Sequence, residues 1–375
     1  MFGSTRSNYT RVSGNLRFEL LDERTVLSAM SPVAGMLEQN DVDAVPLVAN
    51  SPPSGLDGEA FMQGTSYTFS IGDFGFSDSG NSPPDNFEGV RIASLPAQGN
   101  LTALGSGVGV GQVISVQAIL VGELRYANAG IEQTPFATFT FQVQDDGDTS
   151  DGGSNVDPTP NTFTLFFDDD RVDFVRNVYQ DILQRDGETA GLTNWLNQIV
   201  AGTPNSQIVS DLWNTFEHRA IQVDGYYQQF LNRAPDAGGR DFWINRMLDG
   251  LDESAVMAEF MGTVEYQLNN ASNEAFLSAV YQDLFNRVPD ANGQEFWLGE
   301  LSSGRMTREM VADALVNTRE RYIGLVFDYY DEYYGRLPDG EGVEFWVDQL
   351  TRDLLDDRGV AEALLITPEY LNQDA

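Results

Sequence analysis

Residues 287–297 read Arg-Val-Pro-Asp-Ala-Asn-Gly-Gln-Glu-Phe-Trp, and related stretches occur at three other places in the chain. In every copy a Tyr stands six positions before the Arg, and a Trp follows the Arg by ten positions. The Arg, acid and Trp of the four copies are Arg185, Glu188 and Trp195; Arg233, Asp236 and Trp243; Arg287, Asp290 and Trp297; Arg336, Asp339 and Trp346. Successive Arg residues are 48, 54 and 49 positions apart. This regular recurrence predicts four repeats of about 50 residues.

Each copy of this signature predicts a turn between two helices. The Arg suits the C-terminus of the first helix, and the proline of the last three copies is expected to end that helix. The acid then caps the next helix, which stabilises it by about 1 kcal/mol. The Trp is expected on the buried face of the second helix, beside a Phe. The first copy has Asp186-Gly187-Glu188 in place of Pro-Asp, so the sequence does not predict which residue caps its second helix.

The same residues recur in every copy, which favours a structural role for the signature. The alternative is that its Arg and aromatic residues line a binding groove, since such residues dominate recognition surfaces. Apolar residues at helical spacing predict three helices in each repeat. We therefore predict an all-α array in which each repeat contacts mainly its neighbours. Its four repeats are expected at 168–220, 221–272, 273–322 and 323–375.

The pattern Arg-x-Pro-Asp-x-x-Gly-x-x-Phe-Trp is followed by Thr263-Val264-Glu265-Tyr266 in one copy and by Thr367-Pro368-Glu369-Tyr370 in another. Together these motifs resemble a helical repeat classed as a domain of unknown function. That repeat occurs in secreted bacterial S-layer, haemolysin-type and surface proteins and is distantly similar to the phycobilisome linker domain. The resemblance covers residues 170–373. It implies an extracellular, non-catalytic module and names no substrate.

Residues 46–167 differ from the helical part, because they are rich in Gly, Ser, Thr and Pro and contain short β-branched or alternating runs. This composition predicts an all-β fold. The order of 72–78, 90–99, 122–126 and 139–147 resembles the cadherin-like repeat of bacterial adhesins and chondroitin sulphate proteoglycan ectodomains. That resemblance implies a cadherin-like sandwich, so the whole chain is predicted to be multidomain.

Residues 1–45 are predicted to be a partly disordered N-terminal segment. Residues 16–29 resemble the Leu-Glu-x-Arg-x-Leu-Leu segment of large secreted and surface proteins of planctomycete bacteria, which implies a sorting role. The alternative is a short amphipathic helix without targeting value. Charged residues interrupt the apolar run, so an ordinary cleaved signal peptide is not expected. No run is long enough to predict a transmembrane helix.

Composition excludes several kinds of chemistry. The chain has 57 acidic and 21 basic residues, a net charge of −36, no Cys and one His, and all the basic residues are Arg. Disulfides, thiolate nucleophiles, Cys-ligated metals and Lys Schiff bases are therefore excluded. The acidic balance argues against nucleic-acid binding. The single imidazole, His218, is expected at the end of a helix and carries no predicted catalytic role.

One stretch carries a candidate metal site. Acids interleaved with glycine between 145 and 157 offer the oxygen ligands that calcium takes from flexible loops. Their spacing is not that of an EF-hand, and Asp73 and Asp78 are candidates to complete the site. The alternative is a solvated acidic linker. The predicted calcium ligands are Asp145, Asp146, Asp148, Asp151 and Asp157.

These observations predict a non-catalytic extracellular or cell-surface protein for adhesion or outer-layer assembly, stabilised by calcium. Its expected partner is a surface protein or a polysaccharide, and no nucleic acid. Two alternatives stay open: an intracellular linker-type scaffold that binds a protein partner, and a carbohydrate-active enzyme with its carboxylates among the 57 acids. No catalytic or organic cofactor-binding residues are predicted.

Overall fold

A β-rich region followed by a helical array makes up the described part of the chain. The structure is a computed structural model and describes residues 49–128 and 134–372, without the side chain of Asp151. The sorting-like segment predicted at 1–45 lies outside the described residues. No helix in the described ranges is long and apolar enough to cross a membrane.

The β-rich region contains two sheets. One sheet has five strands in the order β1-β9-β8-β3-β6, with β1 and β9 parallel, and the other has four in the order β2-β7-β4-β5. The strands are β1 (Gly58–Phe61), β2 (Ser66–Thr68), β3 (Phe87–Ile92), β4 (Asn100–Ala103), β5 (Ser106–Gly107), β6 (Val113–Ser115), β7 (Arg125–Ala127), β8 (Phe136–Asp145) and β9 (Asn161–Phe166). The first helix, α1 (Val116–Leu120), directly follows β6.

The two sheets share one hydrophobic core. Leu101 and Tyr126 of the smaller sheet and Phe139 and Phe163 of the larger one belong to the same cluster. Strand β8 alternates regularly between buried and more exposed residues, as a strand with one face on a core must. Its buried row ends at Asp145, so a carboxylate occupies a position that faces the interior.

The acidic stretch after β8 folds back on that strand. The Asp145 amide donates to the Asn155 carbonyl at 3.0 Å, and the Asp157 amide donates to the Val143 carbonyl at 3.0 Å. Strand β9 then enters the sheet between β1 and β8. The interpretation of this stretch as a linker between two regions is therefore wrong, because an interior strand of the same sheet follows it.

Fourteen helices follow β9 in the described residues. They are α2 (Asp170–Leu183), α3 (Thr189–Val200), α4 (Asn205–Trp213), α5 (Phe216–Leu231), α6 (Ala237–Leu248), α7 (Glu253–Gly262), α8 (Val264–Asn269), α9 (Asn273–Phe285), α10 (Ala291–Ser303), α11 (Arg308–Val316), α12 (Arg319–Tyr334), α13 (Gly340–Thr351), α14 (Asp357–Leu364) and α15 (Pro368–Leu371). Helices α5 and α12 run across the repeat boundaries predicted after residues 220 and 322, and α8 is a fourth helix within 221–272.

A left-handed residue ends the helix that precedes each signature Arg. Helices α2, α5, α9 and α12 are followed by residues with φ of 55°, 51°, 52° and 60°, which are Gln184, Asn232, Asn286 and Gly335. This conformation is a common helix stop. The prediction that proline ends these helices is wrong, since the prolines lie in the turn, directly before the capping acid.

The signature acids cap the following helices in three of the four copies. Asp236, Asp290 and Asp339 accept a hydrogen bond from the glycine amide three positions later, at 2.9, 2.9 and 2.7 Å. Glu188 makes no such bond and instead pairs with Arg185 at 2.5 Å. The missing Pro-Asp of the first copy thus changes how its turn is held.

Two hydrophobic cores divide the helical array. Helices α2–α4 share one core with α12–α15, and helices α5–α11 form the other. Arg358 of α14 donates to Ser210 in the last turn of α4 and to Asn214, the residue after α4, both at 3.1 Å. The first and last predicted repeats are therefore packed together, although we predicted that each repeat contacts mainly its neighbours. An open array would leave the apolar faces of both end repeats in water.

Polar contacts recur two predicted repeats apart. The Tyr266 hydroxyl donates to Asp283 at 2.7 Å, and the Tyr370 hydroxyl donates to Asp181 at 2.5 Å. Two buried ion pairs also occupy corresponding positions two predicted repeats apart: Arg219 with Glu253, and Arg321 with Asp357. The contact between second and third repeats thus has a counterpart between fourth and first.

The signature aromatics differ in burial. Trp243 is 7% exposed and stacks on Phe260 at 4.6 Å, whereas Trp195, Trp297 and Trp346 are only half-buried. The neighbouring Phe242, Phe296 and Phe345 are 54%, 56% and 55% exposed. The expectation that Phe and Trp lie together on a buried face is wrong for these Phe residues.

This difference predicts unequal costs of truncation. Trp243→Ala should lower the free energy of unfolding by about 3–5 kcal/mol, because it opens a cavity in a core. Trp297→Ala should cost about 1–2 kcal/mol, because that side chain is already partly in water. Urea unfolding of the full chain measures both, with Phe296→Ala as a nearly neutral control. Equal losses for the two Trp variants would contradict the burial difference.

Carboxylates meet at one contact between the first and last predicted repeats. Partial burial of its carboxyl group, together with the charges of Asp181 and Asp328, raises the pKa of Glu332 to about 7, although the residue as a whole is exposed. At the corresponding position of the other contact stands Gln229, which donates to the Asp283 carbonyl at 2.8 Å. The corresponding position is therefore an acid at the contact between the fourth and first repeats and an amide at the contact between the second and third.

Glu332 should make stability fall as pH rises. A carboxyl whose pKa is raised by folding favours the folded state fully at pH values below its ordinary pKa, and that contribution is lost as pH passes through about 7. Glu332→Gln should therefore shrink the drop in melting temperature between about pH 5.5 and about pH 8. His218 titrates in the opposite sense but equally in both proteins. Gln229→Glu is the converse control and should enlarge the drop; an unchanged drop in Glu332→Gln would refute the prediction.

Candidate metal centre

Three carboxylates converge at the end of β3 and β8. Asp145 ends the buried row of β8, Asp85 lies two residues before β3, and Asp78 follows the bridge that joins Ser77 to Ser54. Each offers a carboxylate oxygen within 4.8 Å of the others. Asp145 is 0% exposed and Asp78 is 6% exposed. Pairing of Phe87 with Asp145 brings the end of β8 beside the chain that carries Asp85.

Two oxygens of this group have no protein partner. Oδ1 of Asp78 and Oδ2 of Asp145 are buried and make no hydrogen bond within the described residues. An unpaired buried carboxylate oxygen destabilises a fold unless a cation or a donor compensates it. Burial is the main cause that raises the pKa of Asp145, and the charges of Asp85 and Asp78 add to it.

Amide side chains surround the carboxylates. Asn50 donates to Asp145 at 3.1 Å, and Asn81 contacts both Asn50 and Asp85. The Asp85 amide donates to Oδ2 of Asp78 at 2.5 Å. Carboxylate and amide oxygens are the ligands of hard cations such as calcium, which takes six to eight of them. The group offers no nitrogen or sulfur ligand, so it fits calcium better than zinc.

Among the members of the predicted calcium set whose side chains the structure describes, only Asp145 belongs to this group. Asp145 is central to it, and Asp78 was a candidate to complete it. Asp146 and Asp148 are exposed: Asp146 accepts from the backbone and side chain of Asn86, and Asp148 accepts from Ser150, and these bonds lower the pKa of both carboxyls.

The other predicted ligands lie elsewhere. Asp157 is buried and accepts from the Gly55 amide at 2.8 Å and from the Asn161 side chain at 2.8 Å. Asp73 accepts from Ser70 and Tyr67. The side chain of Asp151 lies outside what the structure describes. Asp85, Asn50 and Asn81 were not predicted, because only the folded chain brings these distant residues to Asp145.

The signature residues of the helical array pair with one another. Each Arg binds, through Nε and Nη2, a Glu that lies 32 or 33 positions later in the first turn of another helix. The four pairs, with their shortest distances, are Arg185 and Glu217 at 2.5 Å, Arg233 and Glu265 at 2.6 Å, Arg287 and Glu320 at 2.7 Å, and Arg336 and Glu369 at 2.5 Å. Glu265 and Glu369 were noted in the sequence motif, but the pairing of these Glu residues with Arg was not predicted, although all four stand in Thr-x-Glu.

The Tyr and Gly of the signature belong to the same local arrangement. Each guanidinium lies over the ring of the Tyr six positions earlier, at 4.8–5.4 Å from its centre. A Cβ at Gly239 would collide with the hydroxyl of Tyr227, and Gly191 and Gly293 meet Tyr hydroxyls in the same way. The polar groups of the signature are therefore bonded to other groups of the same chain. This favours the structural interpretation over a binding groove.

His218 is a buried, neutral residue. It lies in the first turn of α5, so the expectation that it stands at the end of a helix is wrong. Its Nδ1 lies 2.8 Å from the Ile182 carbonyl, and its ring packs on Trp213 at 4.4 Å. Burial lowers the pKa of His218 to about 4. Near neutral pH this imidazole therefore has no charge to offer a ligand.

One protein-family model matches two parts of the chain, almost entirely within the helical array. The family model of a domain of unknown function (DUF4214) matches residues 165–221 and 257–325. Each matched segment contains one complete set of signature residues, with its Arg and the Glu that pairs with it. No curated protein and no solved structure matches the chain. The helical region therefore resembles a domain-of-unknown-function family, as its repeated motif predicted.

Proposed function

We propose that this protein is a non-catalytic interaction protein of the cell surface or the extracellular space, and that calcium stabilises its β-rich region. The observation that carries the proposal is the group of Asp78, Asp85 and Asp145, with its two buried and unpartnered carboxylate oxygens. Modules that work outside cells bind calcium with dissociation constants of about 10⁻⁴–10⁻³ M, a range that a small acidic site can reach.

The residues around the group explain how a cation would act. Asp145 belongs to β8, Asp85 precedes β3, and Asn50 belongs to the segment that leads into β1. A calcium ion held by these residues would neutralise carboxylates that otherwise repel one another. It would thereby fasten the segment at Asn50 to the end of the sheet.

Further features support the extracellular assignment. Two sheets around one core fit a cadherin-like sandwich, and four Arg–Glu pairs with one geometry fit four repeats. The surface location itself rests on the resemblances to secreted bacterial proteins, including planctomycete-type proteins, and on the acidic composition. A strongly acidic surface keeps a protein soluble and disfavours nucleic acid.

Calcium should raise the melting temperature of the full chain relative to EDTA, because it binds the folded state. At a hundredfold excess over its dissociation constant the gain is about 2.7 kcal/mol. Magnesium should give a smaller rise, because it demands a tighter octahedral site. Asp145→Asn should abolish the calcium effect without lowering the melting temperature in EDTA, since it also removes a repelling charge.

Asp148→Asn is the matched control for this experiment. Asp148 lies in the same acidic stretch but is exposed and bonded to Ser150. This variant should keep the full calcium effect. A calcium effect that survives Asp145→Asn, or the absence of any effect in the unmodified chain, would contradict the proposed site.

The surface assignment predicts where the protein is found. In fractionated cells that produce the tagged full chain, most of the protein should appear in the surface or extracellular fraction. Addition of protease to intact cells should remove it, while a cytoplasmic marker stays intact. A protease-resistant cytoplasmic pool holding most of the chain would overturn this part of the proposal.

A further inference from the structure

An apolar groove lies between α6, α7 and α11. Phe242 on one side is 54% exposed, and Trp243 beside it is buried. The groove has a floor of small residues, Ala255, Ala258 and Gly262. Acidic residues border it, namely Glu259, Glu309 and Asp313.

An acidic pocket of about 360 Å³ continues this groove. Ala255 and Asp313 line both, so the two adjoin and are named together the depression. The acidic pocket is lined by the carboxylates of Asp252, Asp313, Asp353 and Asp356, all of them exposed, and of the buried Asp357.

Few positive charges offset these acids. Arg246, which lines the groove, is paired with Glu259 through both of its terminal nitrogens. The buried Arg321 is paired with Asp357. No Arg is among the residues that line the acidic pocket. The depression therefore contains an exposed aromatic ring, a floor of small residues and several carboxylates that have no Arg partner.

A small metal ion does not fit this acidic pocket. Among the described residues, carboxylates that converge closely enough to hold one ion are found at Asp78, Asp85 and Asp145, and not here. The acids of the pocket are spread along its walls, so they suit a cation with several donors, such as a guanidinium. The adjoining apolar groove suits an apolar side chain of the same ligand.

We propose that this depression binds a basic, amphipathic segment of a partner polypeptide. An Arg or Lys of the segment lies in the acidic pocket, and an apolar side chain lies against Phe242. Nucleic acids and anionic membranes carry the wrong charge for the site. The inference builds on the proposed interaction role, but it is independent of calcium, because the depression belongs wholly to the helical array.

Binding of synthetic peptides to the full chain tests the proposal. The probe is a fluorescently labelled amphipathic peptide of Leu, Ala and Arg, and its counterpart has Glu in place of Arg. Anisotropy should rise with the Arg peptide and not with the Glu peptide, and affinity should fall as salt rises. Measurement in EDTA keeps the result separate from the calcium site. No binding of the Arg peptide would overturn the proposal.

Matched variants separate this site from general attraction to an acidic protein. The double variant Asp313→Asn, Asp353→Asn and the single variant Phe242→Ala should each weaken binding about tenfold, or about 1.4 kcal/mol. Phe345→Ala and Glu295→Gln are the controls, because Phe345 is as exposed as Phe242 at 55% and both residues lie outside the depression. Both controls should bind normally. Equal weakening in test and control variants would show non-specific attraction and would overturn the proposal.

Discussion

The pairing of each signature Arg with a Glu 32 or 33 positions later is the constraint on which the helical array depends. The Arg stands just after one helix and the Glu in the first turn of a later one, so each pair fixes where the later helix begins. A partly exposed ion pair contributes only about 0–1 kcal/mol. Its value here is geometric, because a bidentate contact fixes the direction of both side chains. The Tyr under the guanidinium and the Gly beside the Tyr hydroxyl complete this local structure, which explains why these four residue types recur together.

Much of this arrangement could be read from spacing alone, because it is local. The Arg, the capping Asp and the Trp were found by their fixed intervals, and the Glu partners share Thr-x-Glu, so the same search could have found them. The residues that end the helices were harder to predict. Asn232, Asn286 and Gly335 are residue types that favour a left-handed conformation, whereas Gln184 is not such a type. Which repeats share a core could not be predicted. Every repeat carries an apolar face, and the pattern of apolar residues alone does not show which other repeat covers that face.

The candidate metal centre, by contrast, depends mainly on contacts between residues far apart in the sequence. The density of acids after β8 pointed to Asp145, but density also pointed to Asp146 and Asp148, which are exposed. What separates them is the alternation of β8: Asp145 belongs to its inward row with Phe139, Phe141 and Val143. Asp85 joins the site because β3 pairs with β8, a contact between residues far apart in the sequence. Counting acids therefore pointed to the part of the chain that contains Asp145, and only strand pairing showed that Asp85 lies beside it.

The two proposed sites follow from how Arg is distributed. Every ion pair found among the described residues lies between Asp169 and Glu369, in the helical array and at its entry. The described β-rich region has only Arg91 and Arg125 and no such pair, so no Arg neutralises its buried carboxylates, and this is why a cation from solution is proposed there. In the array each signature Arg already has its Glu partner, and four acids that form no ion pair with Arg among the described residues, Asp252, Asp313, Asp353 and Asp356, line the depression beside α7. The proposed calcium site is compact enough for a metal ion, whereas the proposed peptide site is extended enough for a basic polypeptide.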